Sequence, residues 1–541
     1  MKKQWICFAL IFVAILPILI LRDFAANNEL KYLSIADEAI ENFHIFAFYN
    51  HGAEYADKPP LYFWFVMLYR ILFGKHIMLC VSLLSVIPAF VTAWVMGRFT
   101  ERTLSESSRC SALLLLFTTA YFLASIIVLR MDMLMTMFIT LALYTFYRMY
   151  EYDSRCSGER SAEYRRWQWQ LPLYIFLALF SKGPVGLIMP LLVIVIFLGT
   201  GGRLKSIGRY LGWRCWLLLS LLSALWFTGV YLDGDKDYLY NLLFHQTIDR
   251  AADAFHHKKP IYYYLITYWF TMAPWSLLTF AAIITAYRQR LLKDPLIRFF
   301  ITIFFSTIVM LSLISSKLEI YLLPAFPFLI YFTAMIMERR PGGLMKGTIA
   351  IVAILFIAIF ALSCLMGPIS QKFALPEIEL TAPLCSYTSI LLAGGTLSLF
   401  ALYKKRIFRA TDSITISLLL FIFCASFSIP SLNKYIGMKE GCAFVLDKAE
   451  EYGISDYLHY NFHTSENFDV YFKQFLKEEG KSKEERENFK IREISKEQIP
   501  ALHNSILFLK STHIAKDEQL ARMIEECETY RYGISTIIIF R

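Results

Sequence analysis

Residues 35–64 read IADEAIENFHIFAFYNHGAEYADKPPLYFW and hold Asp37, Glu38, Glu41, Glu54, Asp57, Lys58, His44 and His51 within thirty positions. They follow an apolar run long enough to cross a membrane. Leu33, Ala36, Ile40 and Phe43 recur at helical spacing, so an amphipathic helix is expected along the membrane surface, with Asp37 and Glu41 on one face and Glu38 beside them. A solvated polar face would account for the acids alone. Lys58 changes that reading, because the two prolines after it hold it in extended backbone. A carboxylate and a fixed ammonium at a membrane surface suit a phosphate-bearing substrate.

Other charges stand at span boundaries. Arg130 and Asp132 sit at one, where they are either snorkelling anchors or part of a site. Ser181-Lys182-Gly183-Pro184 interrupts a long apolar run, and Pro with Gly favours a tight turn there. His245 and Arg250 precede His256, His257, Lys258 and Lys259, a cation cluster suited to phosphate. Lys317 and Tyr321 lie on adjacent turns, and Tyr321 reads equally as an interfacial belt aromatic. Ionisable groups at such positions are functional candidates by default. A His with a carboxylate can bind a metal, but one such pair across two loops is a weak signal.

The elements that would position these groups follow from composition. Of 541 residues, 57% are hydrophobic and only 18% charged, against about a quarter charged in soluble domains. Apolar runs at 5–22, 76–97, 111–128, 131–150, 171–181, 184–200, 213–232, 262–286, 298–314, 319–337, 347–366, 386–403 and 413–430 make about thirteen transmembrane helices on the length rule. A polytopic α-helical membrane protein is expected, since helices satisfy their own backbone in lipid and no alternating barrel pattern is present. The N-terminal run, signal-like at first sight, is read as an uncleaved first helix.

Basic residues follow every second span, at Arg98 and Arg102, Arg148 and Arg155, Arg203 and Lys205, Arg288 and Arg290, Arg339 and Arg340, and Lys404 and Lys405. This pattern places the N-terminus in the cytoplasm and the tail outside. It also accounts for the net charge of +10 without nucleic acid. Residues 1–430 then form the membrane domain, with a long first outer loop at 23–75. Residues 431–541 form a small α/β domain, in which SILFLK and GISTIIIFR read as strands. Cys442 and Cys527 in that tail are either separate thiols or a disulfide, if the compartment is oxidising.

ADEA at 36–39, DKPPLYFW at 57–64, RMDM at 130–133, FSKGPVGL at 180–187, the segment from His245 to HHKKP, APW at 273–275 and SSKLEIYLLPAFP at 315–327 occur in one order. In that ordered set the chain resembles bacterial lipid-linked-sugar glycosyltransferases of the GT-C class, which include lipid A aminoarabinose transferases and relatives of protein O-mannosyltransferases. The resemblance implies a GT-C-like fold and transfer of a sugar from a polyprenyl (undecaprenyl) phosphate donor. The acceptor would be lipid A, a glycan or a protein, at the outer side of a bacterial inner membrane, with the tail periplasmic. It implies Asp37 as catalytic base or stabiliser and Asp132 as a second acid, with Glu38 added from the residue pattern. Lys58, Lys182, Arg250 and Tyr321 would cradle the donor phosphate, with Lys258 and Lys317 added from the residue pattern. Asp57 and His245 match a divalent-metal pair (Zn2+ or Mg2+), although Asp57 stands where that branch has Glu. No nucleotide-binding loop occurs, which fits a lipid-linked donor. The rival reading is a transporter or flippase of lipid-linked sugars. It predicts broken helices, acids near the midplane and repeated halves, whereas these charges lie at outer boundaries and no repeat is visible.

Overall fold

The computed structural model describes residues 2–155, 161–244, 259–372 and 381–541. Each expected apolar run falls on a helix or a bent helix pair. Eight helices are long and apolar enough to span a membrane, and two bent pairs raise this to ten among the described residues. The bent pairs are Glu106–Phe117 with Ala120–Ile127, at 69°, and Tyr263–Thr271 with Ser276–Arg288, at 114°. Pro274 lies in the second break, where its missing N–H cannot continue a helix. Three expected spans fall short of that length-and-hydropathy test for visible reasons. Asp132–Arg155 ends in a charged turn, Ala162–Lys182 begins with Glu163, Arg165 and Arg166, and Val185–Thr200 has 16 residues.

The chain divides into two compact units, one of Met1–Pro17, Ala56–Tyr62 and Ser82–Ser426, the other of Ile18–Tyr55, Phe63–Val81 and Phe427–Arg541. The first is helical. Asp132–Arg155 packs along Ala162–Lys182, and Gly343–Lys372, Thr381–Tyr403 and Ile407–Ser426 form a second packed set. Aromatic rings fill its core: Phe197 stands 4.8 Å from Phe299, and Phe99 lies 5.0 Å from Phe300. Dispersion between close-packed rings holds helices together where lipid removes the hydrophobic driving force.

The second unit contains the helix Glu29–Glu41, a hairpin of β1 (Tyr49–Asn50) and β2 (Ala53–Glu54), and a five-stranded sheet. The sheet comprises β3 (Asp456–His459), β4 (Arg492–Glu493), β5 (Ser505–Lys510), β6 (Glu528–Tyr532) and β7 (Ser535–Phe540), in the order β4-β3-β5-β7-β6. β3 pairs in parallel with β4 and β5, whereas β7 runs antiparallel to β5 and β6. The SILFLK and STIIIF runs are thus adjacent strands. β5 is buried along nearly its whole length, as a continuous rather than alternating apolar run requires. Leu458, Ile499, Leu507, Leu509, Leu520 and Ile538 form the core on one side of the sheet. Cys442 and Cys527 are free thiols. Cys442 is buried on the helix Lys439–Tyr452, while Cys527 packs against the sheet core, so the disulfide alternative is not formed.

The Glu29–Glu41 helix differs from its expectation. Tyr32, Leu33, Ser34, Ile35, Ala36 and Asp37 are all buried, whereas Phe43, expected on the apolar face, is 87% exposed. The polar face is covered because the turn His463–Phe468 and the helix Asp469–Glu478 pack on it.

Candidate active site

In the helical unit, Asp132 opens the helix Asp132–Arg155 and Lys182 closes the helix Ala162–Lys182. An acid in a first turn and a base in a last turn each complement the helix dipole, so both positions are locally favoured. Gly183 ends the second helix at φ +107° and ψ −158°, a region essentially closed to residues with a Cβ. Gly186 lies so close to the preceding helix that a Cβ would meet the Ala178 carbonyl at 2.3 Å. The SKGPVG run therefore sets the turn that fixes Lys182.

The two side chains meet. Lys182 Nζ donates to Asp132 Oδ1, and Arg130 Nε donates to Asp132 Oδ2 at 3.1 Å. Asp132 is almost wholly buried and Lys182 nearly so, while Arg130 is partly open to solvent. Lys182 Nζ also lies 4.6 Å from the Tyr321 ring centroid, an arrangement in which the ring quadrupole attracts a cation. Tyr321 comes from the turn Glu319–Ala325, which packs against the start of the Asp132 helix. Lys58 is within electrostatic range of Lys182, and its own ammonium is 3.2 Å from Asp57. Arg130, Lys182 and Lys58 thus gather around Asp132 and Asp57.

The Tyr321 turn is pinned from several sides. Tyr263 donates to the Glu319 carboxylate and Tyr264 to the Leu318 carbonyl at 3.2 Å. Lys317, expected to face phosphate, is buried with its ammonium on the Lys259 carbonyl at 3.2 Å and the Ile314 carbonyl at 2.5 Å. Two of its three N–H donors are spent on fixing backbone.

In the other unit, Asp37 Oδ1 accepts from Arg70 Nε at 2.7 Å and lies 3.0 Å from His76 Nε2. Burial alone would raise this carboxyl, but His76 and Arg70 outweigh it and hold the pKa at about 2. Glu38 accepts from the backbone N–H groups of His51 at 2.6 Å and Gly52 at 2.9 Å. These residues form the turn of the β1–β2 hairpin, and both have positive φ, as a two-residue type I′ turn requires. Glu38 therefore anchors a strained turn. Glu29 is fully buried and holds Arg22 through both carboxylate oxygens, at 2.7 and 2.8 Å. Sequence reasoning singled out none of Glu29, Arg70, His76 and Glu319. Glu29 lies four residues before the expected helix, which in the structure begins at Glu29 itself.

His245, Arg250 and Lys258 lie outside the described residues. Of the expected metal pair, Asp57 has its carboxylate beside Lys58, and no other His, Cys, Asp or Glu joins it in a ligand cluster among the described residues. Among the described residues Asp57 alone offers one ligand arm, too few to hold a divalent ion.

Residues 57–227, which hold Asp57, Lys58, Asp132 and Lys182, match the family described as dolichyl-phosphate-mannose-protein mannosyltransferase. The structure superposes on the crystal structure of ArnT from Cupriavidus metallidurans bound to undecaprenyl phosphate with a TM-score of 0.73, covering 98% of this chain and 96% of ArnT at 15% identity. The chain shares the ArnT fold over nearly its whole length and has the apolar helices of a multi-pass membrane protein. Its sequence is similar to an undecaprenyl phosphate-alpha-4-amino-4-deoxy-L-arabinose arabinosyl transferase of Shewanella sediminis, 26% identical over 61% of this chain and 59% of the relative. An uncharacterized protein of Aquifex aeolicus is 26% identical over 64% of this chain and 68% of its own length. The chain spans about three fifths to two thirds of the length of these relatives, and the residues that carry the Asp132–Lys182–Tyr321 group fall in its helical unit.

Proposed function

We propose that the chain transfers a sugar from a polyprenyl-phosphate donor to an anionic acceptor at the outer face of a bacterial inner membrane, with the N-terminus cytoplasmic and the tail periplasmic. The observation that carries the reading is the buried Asp132–Lys182 pair against Tyr321, flanked by Arg130 and Lys58. A sugar-linked polyprenyl phosphate carries one negative charge. As its bond to the anomeric carbon breaks, the departing phosphate gains charge. Cations fixed beforehand at that point favour the transition state over the bound donor. Arg250 and Lys258 would add to this cradle from their own segment.

The acceptor oxygen attacks the anomeric carbon from the opposite face, so the configuration inverts. Asp37, held at about 2 by Arg70 and His76, makes a poor base, because general-base catalysis works best with a pKa near the operating pH. An acceptor that is already ionised, such as the phosphate of a lipid A-type glycolipid, needs no base. A protein or glycan hydroxyl does. Asp37 is then not called on as a base, and the phosphate acceptor is the favoured reading.

The test uses the purified chain in vesicles with a radiolabelled polyprenyl-phosphate sugar and three acceptors: lipid A, a neutral glycan and a serine-rich peptide. Label is expected on lipid A, with loss of at least about a hundredfold in Lys182→Ala, the scale of removing one charge-stabilising donor. Parent activity in that variant would overturn the site. Movement of the donor across the vesicle without any label transfer would favour the flippase reading.

A further inference from the structure

We propose that His459, His463, Glu466 and Glu493 form a divalent-metal site of the zinc class in the unit that holds the C-terminal sheet, separate from the transfer site. Chain geometry brings them together. β3 ends at His459, and the parallel pairing of β3 with β4 sets His459 directly opposite Glu493. Residues opposite each other in a ladder project to the same side of the sheet. The turn His463–Phe468 follows β3 and delivers His463 and Glu466 to the same strand ends, and the carboxyl ends of parallel strands are where α/β sheets commonly bind ligands.

The donor atoms of His459, His463 and Glu493 lie within 4.8 Å of one another. Glu466 Oε1 is 2.8 Å from His459 Nε2 and 3.4 Å from His463 Nδ1, and His463 Nε2 is 3.6 Å from Glu493 Oε1. Ligands about 2.0–2.1 Å from a tetrahedral zinc stand roughly 3.3 Å apart, so these spacings need only small side-chain rotations. His463 and Glu493 are 67% and 52% exposed, which gives a metal ion an open approach and the side chains freedom to turn.

An ion-paired histidine in a protein core would usually satisfy both ring nitrogens. His459 does not: it is fully buried, and its Nδ1 has no hydrogen-bond partner. Two imidazoles with carboxylates make a mixed nitrogen and oxygen set. Such a set suits Zn2+ and its neighbours rather than Mg2+ or Ca2+, which take oxygen. The position gives the metal a structural use. The turn His463–Phe468 packs on the helix Glu29–Glu41, and His51 of the hairpin lies within electrostatic range of Glu466. A bound ion would fasten the tail's turn beside the hairpin that Glu38 anchors.

The experiment titrates the chelator-stripped, full-length chain with Co2+ alone and reads its visible d–d absorption. Zn2+ equivalents retained after dialysis are then counted by elemental analysis. The work is done in an Asp57→Asn background, so that metal at that residue does not contribute. One equivalent with a tetrahedral Co2+ spectrum is expected. His463→Ala, at an exposed position, should lose both without unfolding the chain, and Glu493→Gln should weaken Co2+ binding at least about tenfold, as loss of a ligand or its support does. No Co2+ binding by the Asp57→Asn chain, or unchanged stoichiometry and spectrum in both further variants, would overturn the site. Neither result bears on sugar transfer.

Discussion

The ammonium of Lys182 lies 4.6 Å from the centre of the Tyr321 ring while it also donates to the carboxylate of Asp132. One cation thus joins three segments of the helical unit: the end of one helix, the start of another and a short turn. Replacing Tyr321 by Leu removes the ring, and replacing it by Phe keeps it. A partly desolvated cation–π contact is worth about 0.5–2 kcal/mol. The Leu variant should therefore lose about twofold to thirtyfold in kcat/KM for the donor, with most of the loss recovered in Phe. Steady-state kinetics on the two variants decides it, and equal losses would remove the ring from the account.

Gly183 supplies a second check on the same cation. Its backbone conformation is nearly closed to alanine, so Gly183→Ala should cost about 1–3 kcal/mol and shift Lys182 from Asp132. We expect a lower melting temperature together with a fall in sugar transfer. Gly202→Ala, also at positive φ and likewise with open space around its Cβ position but remote in sequence from Lys182, serves as the control. It should lower the melting temperature and leave transfer per folded molecule unchanged.

Asp37 makes a different prediction, about stability. Its pKa is depressed from the usual 3.8 to about 2. The stabilisation is present above pH 3.8 and is lost as pH falls toward 2. At about 1.36 kcal/mol per pH unit, the drop is worth roughly 2 kcal/mol. Asp37→Asn should remove that acid-side dependence and cost more at neutral pH, because breaking a buried pair commonly costs about 3–5 kcal/mol. Chemical denaturation at pH 2.5, where the acid-side loss falls, and at pH 4 and pH 7 tests this. Equal stability of parent and variant at pH 7 would refute it.

These three sites differ in how far the sequence revealed them. The Ser181–Pro184 break is local, because Pro and Gly encode a turn without help from elsewhere, and it appears where expected. The apolar runs and the β5 and β7 strands are equally local, each carrying its own hydrophobic pattern. Asp37 stood out as a catalytic candidate, but its pairing did not, because its partners Arg70 and His76 lie 33 and 39 positions away. The cover over its helix comes from residues 463–478, more than four hundred positions further on. His459 and Glu493 become neighbours only through the pairing of β3 with β4, and short strands leave no periodic signal to predict that register. What failed to show was pairing across distance, and pairing decides which charged residues are free to do chemistry.

Glu38 illustrates the same point and can be tested alone. Its carboxylate accepts two backbone N–H groups of the His51–Gly52 turn, and hydrogen bonds to a charged acceptor are worth about 1.5–3 kcal/mol each. Glu38→Ala should loosen the hairpin, giving faster hydrogen exchange at residues 49–55. Protection of β5 and β7 in the C-terminal sheet should stay as in the parent. Loss of protection across the whole unit would mean that Glu38 holds more than its turn.

The pH dependence of transfer separates the two acceptor classes. With an ionised phosphate acceptor and no base on the protein, kcat/KM should be flat above neutrality. It should fall on the acid side with the acceptor's own second ionisation, near pH 6 for a phosphate monoester. Asp37, held at about 2, is fully ionised across this range and adds no limb of its own. The limb should therefore keep its position in Asp37→Asn, whatever activity that variant retains. It should move to lower pH when the acceptor phosphate is made more acidic. A hydroxyl acceptor served by a protein base would behave in the opposite way, with a limb fixed by the protein and indifferent to acceptor acidity. A profile that shifted with the Asp37 substitution and ignored the acceptor would return Asp37 to the role of base and defeat the phosphate-acceptor reading.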